Sequence, residues 1–121
     1  WDACFTANDI EGFEREFRSV LQYVNLHAKV FVGHMTAMHN TLPQHEKRYN
    51  DTILGRVQPY NSVISKVCEE LNIPLLIDTY ELTSKTPSEC LDGVHYSEFI
   101  SRQLSIKIKR FICKSLFIDK L

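Results

Sequence analysis

The chain has little of several things, and each shortage closes off a class of function. No apolar run approaches the ~20 residues needed to cross a bilayer, so no transmembrane segment is expected. Neither sign of charge dominates: 14 Lys and Arg stand against 15 Asp and Glu, for a net charge of −1. The nearest thing to a basic run is Ile106-Lys107-Ile108-Lys109-Arg110, and nucleic acid is therefore not expected as a partner. Cys4, Cys68, Cys90 and Cys113 make no C-x-x-C pair, which excludes a zinc ribbon or a thioredoxin-like motif. Their even number leaves both disulfides and buried thiols open. The opening residues, Trp1-Asp2-Ala3-Cys4, form neither a signal peptide nor an initiator Met, and the chain reads as cut from something longer.

What remains is one domain's worth of chain. With 121 residues and 44% hydrophobic content, a compact fold buries roughly two-thirds of the unfolded surface around one core. From Asn8 to Asn25, apolar residues from Ile10 to Val24 recur at three- and four-residue steps, and Glu11/Arg15 and Glu14/Arg18 pair on the other face. This predicts an amphipathic helix with Asn8 as N-cap and His27 near its end, where a cation is mildly favoured. Lys29–Gly33 reads as a buried strand, and His34–Tyr49 as a loop without period. Asp51–Leu71 returns to helical spacing. Pro59 either kinks that helix or starts a second one, and Asn72 closes it. Pro74–Asp78 is a second strand, apolar up to its last residue. Thr79–Val94 is expected to be a long loop, and such loops are functional or disordered. After Ser97, a plausible N-cap, Ile100, Leu104, Ile108, Phe111 and Ile112 outweigh a shorter alternating pattern and predict a final helix. The order implies an α/β fold with a parallel sheet, part of a doubly wound three-layer α/β/α (flavodoxin-like) arrangement, with ligands beyond the carboxyl ends of the strands.

Asp92-Gly93-Val94-His95 lies at that edge. A carboxylate three residues before an imidazole can fold back in one turn and accept the Nδ1 proton, leaving Nε2 as a general base for a hydroxyl nucleophile. Gly93 suits the turn. The alternative is a loop pair that satisfies its own hydrogen bonds and does no chemistry.

The block Asp92-Gly93-Val94-His95-Tyr96, following the strand that ends Leu76-Ile77-Asp78, resembles the C-terminal part of an SGNH/GDSL-type hydrolase. Trp1-Asp2 and Tyr60-Asn61 resemble the PC-esterase branch, with its sialic-acid O-acetyltransferase-like and cadherin-like members. The resemblance implies Ser-His-Asp ester chemistry, with His95 as base and Asp92 as its orienter. It implies O-acyl ester hydrolysis or O-acetyl transfer on a glycan or other hydroxyl-bearing substrate, and no cofactor or metal. The chain departs from the pattern in having no G-D-S or G-x-S-x-G nucleophile stretch, and the block around Trp1-Asp2 leaves the Asn-type oxyanion donor in doubt. The expectation is a partial domain whose missing N-terminal strands pair with Lys29–Gly33, since a two-stranded sheet leaves edges exposed and too little core.

Rival readings stand beside this one. His34, His39 and His45 are spaced by five and six residues, which does not gather them on one helical face as metal ligands; one of them in the loop after Gly33 is placed to line a substrate pocket. Cys90 as nucleophile finds no basic partner other than His95, and a structural thiol or a disulfide suits it better. A non-catalytic binding or scaffold module of the same fold is the alternative function. The sequon Asn50-Asp51-Thr52 leans toward a glycoprotein of the secretory pathway, in the Golgi or outside the cell.

Overall fold

The computed structural model describes residues 9–39 and 57–118. Helix α1 spans Ile10–His27 and starts on Asp9, whose Oδ1 accepts the Gly12 N–H at 2.8 Å; the expected cap, Asn8, lies outside the described residues. A side-chain acceptor here satisfies one of the backbone donors that the first turn leaves without an intrahelical partner. Helix α2, Val57–Leu71, packs against α1 and supplies most of the core. Leu21 meets Val63, Ile64, Val67, Cys68 and Ile73, and Phe13 stacks on Phe17 at 5.5 Å and meets the edge of Tyr60 at 4.8 Å. Ion pairs of Arg18 with Glu14 and Glu70, and of Lys66 with Glu14, close the rim of this contact.

Pro59 lies inside α2, two residues after Val57, and so does not open a second helix; the earlier part of the expected helical stretch, 51–56, lies outside the described residues. The other end is as the sequence predicts. Asn72 takes φ 54°, the Ile73 N–H reaches back to the Cys68 carbonyl at 2.9 Å, and the Asn72 N–H to that of Glu69 at 3.2 Å. This left-handed stop satisfies the last carbonyls and turns the chain into the next strand.

The two strands are shorter than the apolar runs that announce them: β1 is Val32–Gly33 and β2 is Leu75–Leu76. They pair in parallel, with Val32 opposite Leu75 and Gly33 opposite Leu76, and bonds from Val32 N to Pro74 O and from His34 N to Leu76 O flank the pair. The expected loop after β2 is largely helical instead. Helix α3 covers Asp78–Ser84 and a 3₁₀ turn covers Pro87–Glu89. Helix α4, Glu98–Ile118, begins at Ser97 as expected, where the hydroxyl accepts the Ile100 N–H at 3.3 Å. Ile100 is fully buried, Phe31 meets Phe111 edge-on at 6.0 Å, and Lys107 pairs with Asp78 at 3.2 Å. Among the described residues, no helix is long and apolar enough to cross a membrane.

Between the strands and α4 lies a mainly apolar cavity of about 160 Å³, bordered by Phe31, Gly33, Leu76, Ile108 and Phe111 among others. A methyl group at Gly33 would sit 3.6 Å from Thr79 Cγ2, an ordinary contact. Gly33→Ala should therefore stabilise the fold by about 0.4–1 kcal/mol through the lost freedom of the unfolded chain, seen as a higher urea midpoint at unchanged slope.

Candidate active site

Two backbone bonds shape the segment after the 3₁₀ turn. They make an isolated antiparallel bridge between Cys90 and Tyr96: the Leu91 N–H donates to the His95 carbonyl at 2.7 Å and the Ser97 N–H to the Glu89 carbonyl at 2.9 Å. The intervening Asp92-Gly93-Val94 is forced into a tight tip. Gly93 sits there at φ 98°, a conformation that a side chain resists. Within the tip, Asp92 Oδ1 accepts the backbone N–H groups of Val94 at 3.0 Å and His95 at 2.8 Å, while Oδ2 lies 2.6 Å from His95 Nδ1. Since a carboxylate only accepts, Nδ1 carries the proton and a neutral ring keeps its lone pair on Nε2. The His95 side chain is 72% exposed against 23% for Asp92, so the ring stands open to solvent while the orienting carboxylate is half-buried. The His95 backbone N–H is the main cause that holds the Asp92 carboxyl down to about 2, with the ring and the Val94 N–H adding to it against the cost of burial.

The structure thus brings together both residues that the sequence singled out. It also shows what holds their turn in place. The segment after β1, from His34 to His39, is tied down at nearly every step. Thr79 Oγ1 donates to the His34 carbonyl at 2.6 Å, and the Asn61 amide brackets Met35, accepting its N–H at 2.7 Å and donating to its carbonyl at 3.1 Å. The Ala37 N–H donates to Thr83 Oγ1, and the Tyr96 hydroxyl donates to the Ala37 carbonyl at 2.7 Å. His39 Nε2 donates to the Thr83 carbonyl at 2.8 Å, and the His39 N–H reaches the Gly93 carbonyl at 2.9 Å. That last bond fastens the Asp-His tip to the loop at the carboxyl end of β1. Burial pushes the Tyr96 phenol well above its ordinary value, so it remains a donor.

Sequence reasoning missed Thr79 and Thr83, and quoted Asn61 and Tyr96 without giving either a role. The available signal was the four-residue spacing of Thr79 and Thr83, which places both hydroxyls on one helical face. The rival sites separate on geometry. His34 Nε2 lies 2.7 Å from Ser65 Oγ, His39 is committed to Thr83, and His45 lies outside the described residues, as do Trp1, Asp2 and Asn50. Among the described residues, no three His, Cys, Asp or Glu side chains gather as metal ligands. Cys68 and Cys90 are buried thiols whose burial pushes them up, away from the reactive thiolate; Cys113 is an exposed thiol.

Two outcomes follow from the tip. A carboxyl held at about 2, against an ordinary 3.8, contributes stability that is fully present above pH ~4 and lost as the pH falls toward 2. The stability gap between the protein and Asp92→Asn should therefore narrow over that window in urea titrations run across pH. Thr83→Val, which keeps the shape but leaves the buried Ala37 N–H without its acceptor, should cost about 1–3 kcal/mol in the same assay.

No protein-family model matches the chain, and no curated protein matches it. Solved structures of similar fold include the following two. The esterase domain of the ZfL2-1 ORF1 protein from the zebrafish ZfL2-1 retrotransposon superposes with a TM-score of 0.68 at 18% identity, over 88% of this chain and 64% of that one. The lipase/acylhydrolase from Enterococcus faecalis gives 0.70 at 21% identity, over 92% of this chain and 55% of that one. The chain therefore spans less than two-thirds of the length of either. The α/β class expected from the order of elements is what the structure has, and the likeness to these two structures is one of fold.

Proposed function

We propose that this chain supplies the Asp-His half of an acyl-ester enzyme, with His95 as general base and Asp92 as its orienting carboxylate. The observation that carries the reading is the 2.6 Å contact between Asp92 Oδ2 and His95 Nδ1 on a ring that stands open to solvent. In the reaction, Nε2 takes the proton of a serine hydroxyl as its oxygen attacks the acyl carbonyl. Asp92 stabilises the imidazolium, which then protonates the departing alkoxide. Water or a second hydroxyl resolves the acyl-serine, giving hydrolysis or transfer. An esterase domain and an acylhydrolase among the similar folds support ester chemistry as the class.

The serine and its oxyanion donors belong, in this proposal, to sequence outside these 121 residues. The absence of a G-D-S stretch and the partial span of both similar structures support that division. An acylated glycan or other hydroxyl-bearing substrate, placement in the PC-esterase branch and a secretory location are further parts of the proposal; the last rests on the sequon at Asn50 alone. A scaffold module that has lost catalysis is the second reading. It is favoured by the Asp92 carboxylate accepting from the Val94 N–H, the His95 N–H and the His95 ring, all within its own turn.

In the whole protein, assayed on p-nitrophenyl acetate, His95→Ala should lower kcat/KM by several orders of magnitude. Asp92→Asn should lower it by roughly 10⁴, the scale of triad carboxylates. Near-normal turnover in either variant removes that residue from the role. Turnover by these 121 residues alone would instead defeat the external serine.

A further inference from the structure

A second polar site lies at the start of the pinned loop, around His34. Gln58, Asn61, Ser62 and Ser65 follow the i, i+3, i+4, i+7 spacing and so form a polar stripe along one face of α2. The opposite face carries Tyr60, Ile64 and Val67 into the core. This stripe, with His34 at the carboxyl end of β1 and Tyr80 on α3, lines an open cleft of about 270 Å³. Crevices beyond the carboxyl ends of parallel strands are where open α/β sheets bind ligands. The volume is just under the roughly 300–1,000 Å³ of drug-sized pockets, which suits a ligand of one sugar ring.

The lining sets the chemistry. None of the six side chains carries a fixed charge, and burial lowers His34 toward its neutral form even with Glu81 nearby. Among the described residues that line the cleft, an anion or a cation finds no opposite charge. Hydroxyl and amide groups are plentiful and partly uncommitted. Asn61 is consumed by Met35, and Ser65 by His34 at 2.7 Å. Gln58 Nε2 donates to the Tyr80 oxygen at 3.0 Å, which leaves the Tyr80 proton and the Gln58 carbonyl oxygen to offer. The Ser62 hydroxyl is exposed beside them. Groups that both donate and accept, next to an aromatic ring, match a neutral polyol, whose hydroxyls also do both and whose C–H face packs on a ring.

We propose that the cleft formed by His34, Gln58, Asn61, Ser62, Ser65 and Tyr80 is a binding site for a neutral hydroxyl-rich ligand of about one sugar ring. The site is separate from Asp92 and His95 and stands whether or not that pair is catalytic. The test is a ¹⁵N chemical-shift titration of the whole protein with methyl glucoside and with N-acetylglucosamine, using acetate and phosphate as charged counterparts. Saturable shifts centred on Gln58, Ser62, Ser65 and Tyr80 with at least one sugar, and none with the anions, are expected. Gln58→Ala and Ser62→Ala, both at exposed positions, should each weaken binding roughly tenfold, the loss of one hydrogen bond. No saturable shift with either sugar, equal binding of the anions, or unchanged affinity in both variants overturns the site. His95→Gln should leave the affinity unchanged whatever it does to ester turnover; a parallel loss of affinity would move the sugar to the Asp-His tip and overturn the proposal too.

Discussion

The Asp92 carboxylate accepts three hydrogen bonds from its own turn, and the geometry of the carboxyl edge depends on all of them. Two go to backbone N–H groups and one to the His95 ring. With Oδ1 committed to the backbone, the carboxyl plane is fixed before the ring arrives, and Oδ2 has one direction left to offer. The imidazole is thereby set in tautomer and orientation by four consecutive residues. Gly93, at a backbone angle that a β-carbon would strain, lets the chain reverse tightly enough for this.

A local turn does not by itself say where its histidine points within the molecule. That is decided by the loop at the end of β1, which α2 and α3 hold through Asn61, Thr79 and Thr83, and which passes the constraint on through His39 to the Gly93 carbonyl. Tyr96, next to the ring, adds a second anchor to the same loop. The backbone groups of an irregular segment need partners once they leave water. Here side chains from two helices provide them, and the loop becomes a rigid link between the Asp-His tip and the cleft around His34. The two regions lie along one sheet edge because the parallel pairing of β1 and β2 sends both following segments the same way.

Much of this was legible in residue order. The apolar periods gave α1, α2 and α4; Asn72 and Ser97 marked an end and a start; and a carboxylate three residues before a histidine gave the tip. The segment after β2 was not. Asp78–Ser84 is seven residues long, too short for a helical period to stand out, and its Thr and Ser content reads as loop. The hydroxyls that favour loops in isolation are satisfied here by carbonyls: Thr83 Oγ1 donates to the Thr79 carbonyl at 2.6 Å while accepting from Ala37 across the loop. The strands shrank to two residues each because the apolar runs around them are used for packing against helices as much as for pairing.

The sequence by itself determined the tip, since a short-range turn needs only the spacing of Asp92, Gly93 and His95 and the capacity of a carboxylate to accept from nearby donors. It determined the helical faces too, because burial of a periodic apolar stripe is a local property. Only the tertiary structure decided that Asn61, Thr79, Thr83 and Tyr96 act together, that His34 turns to Ser65 while His39 turns to Thr83, and that the His95 ring stays open to solvent. Those choices join residues up to 59 positions apart, and no pattern within a window of the chain carries the packing that selects them.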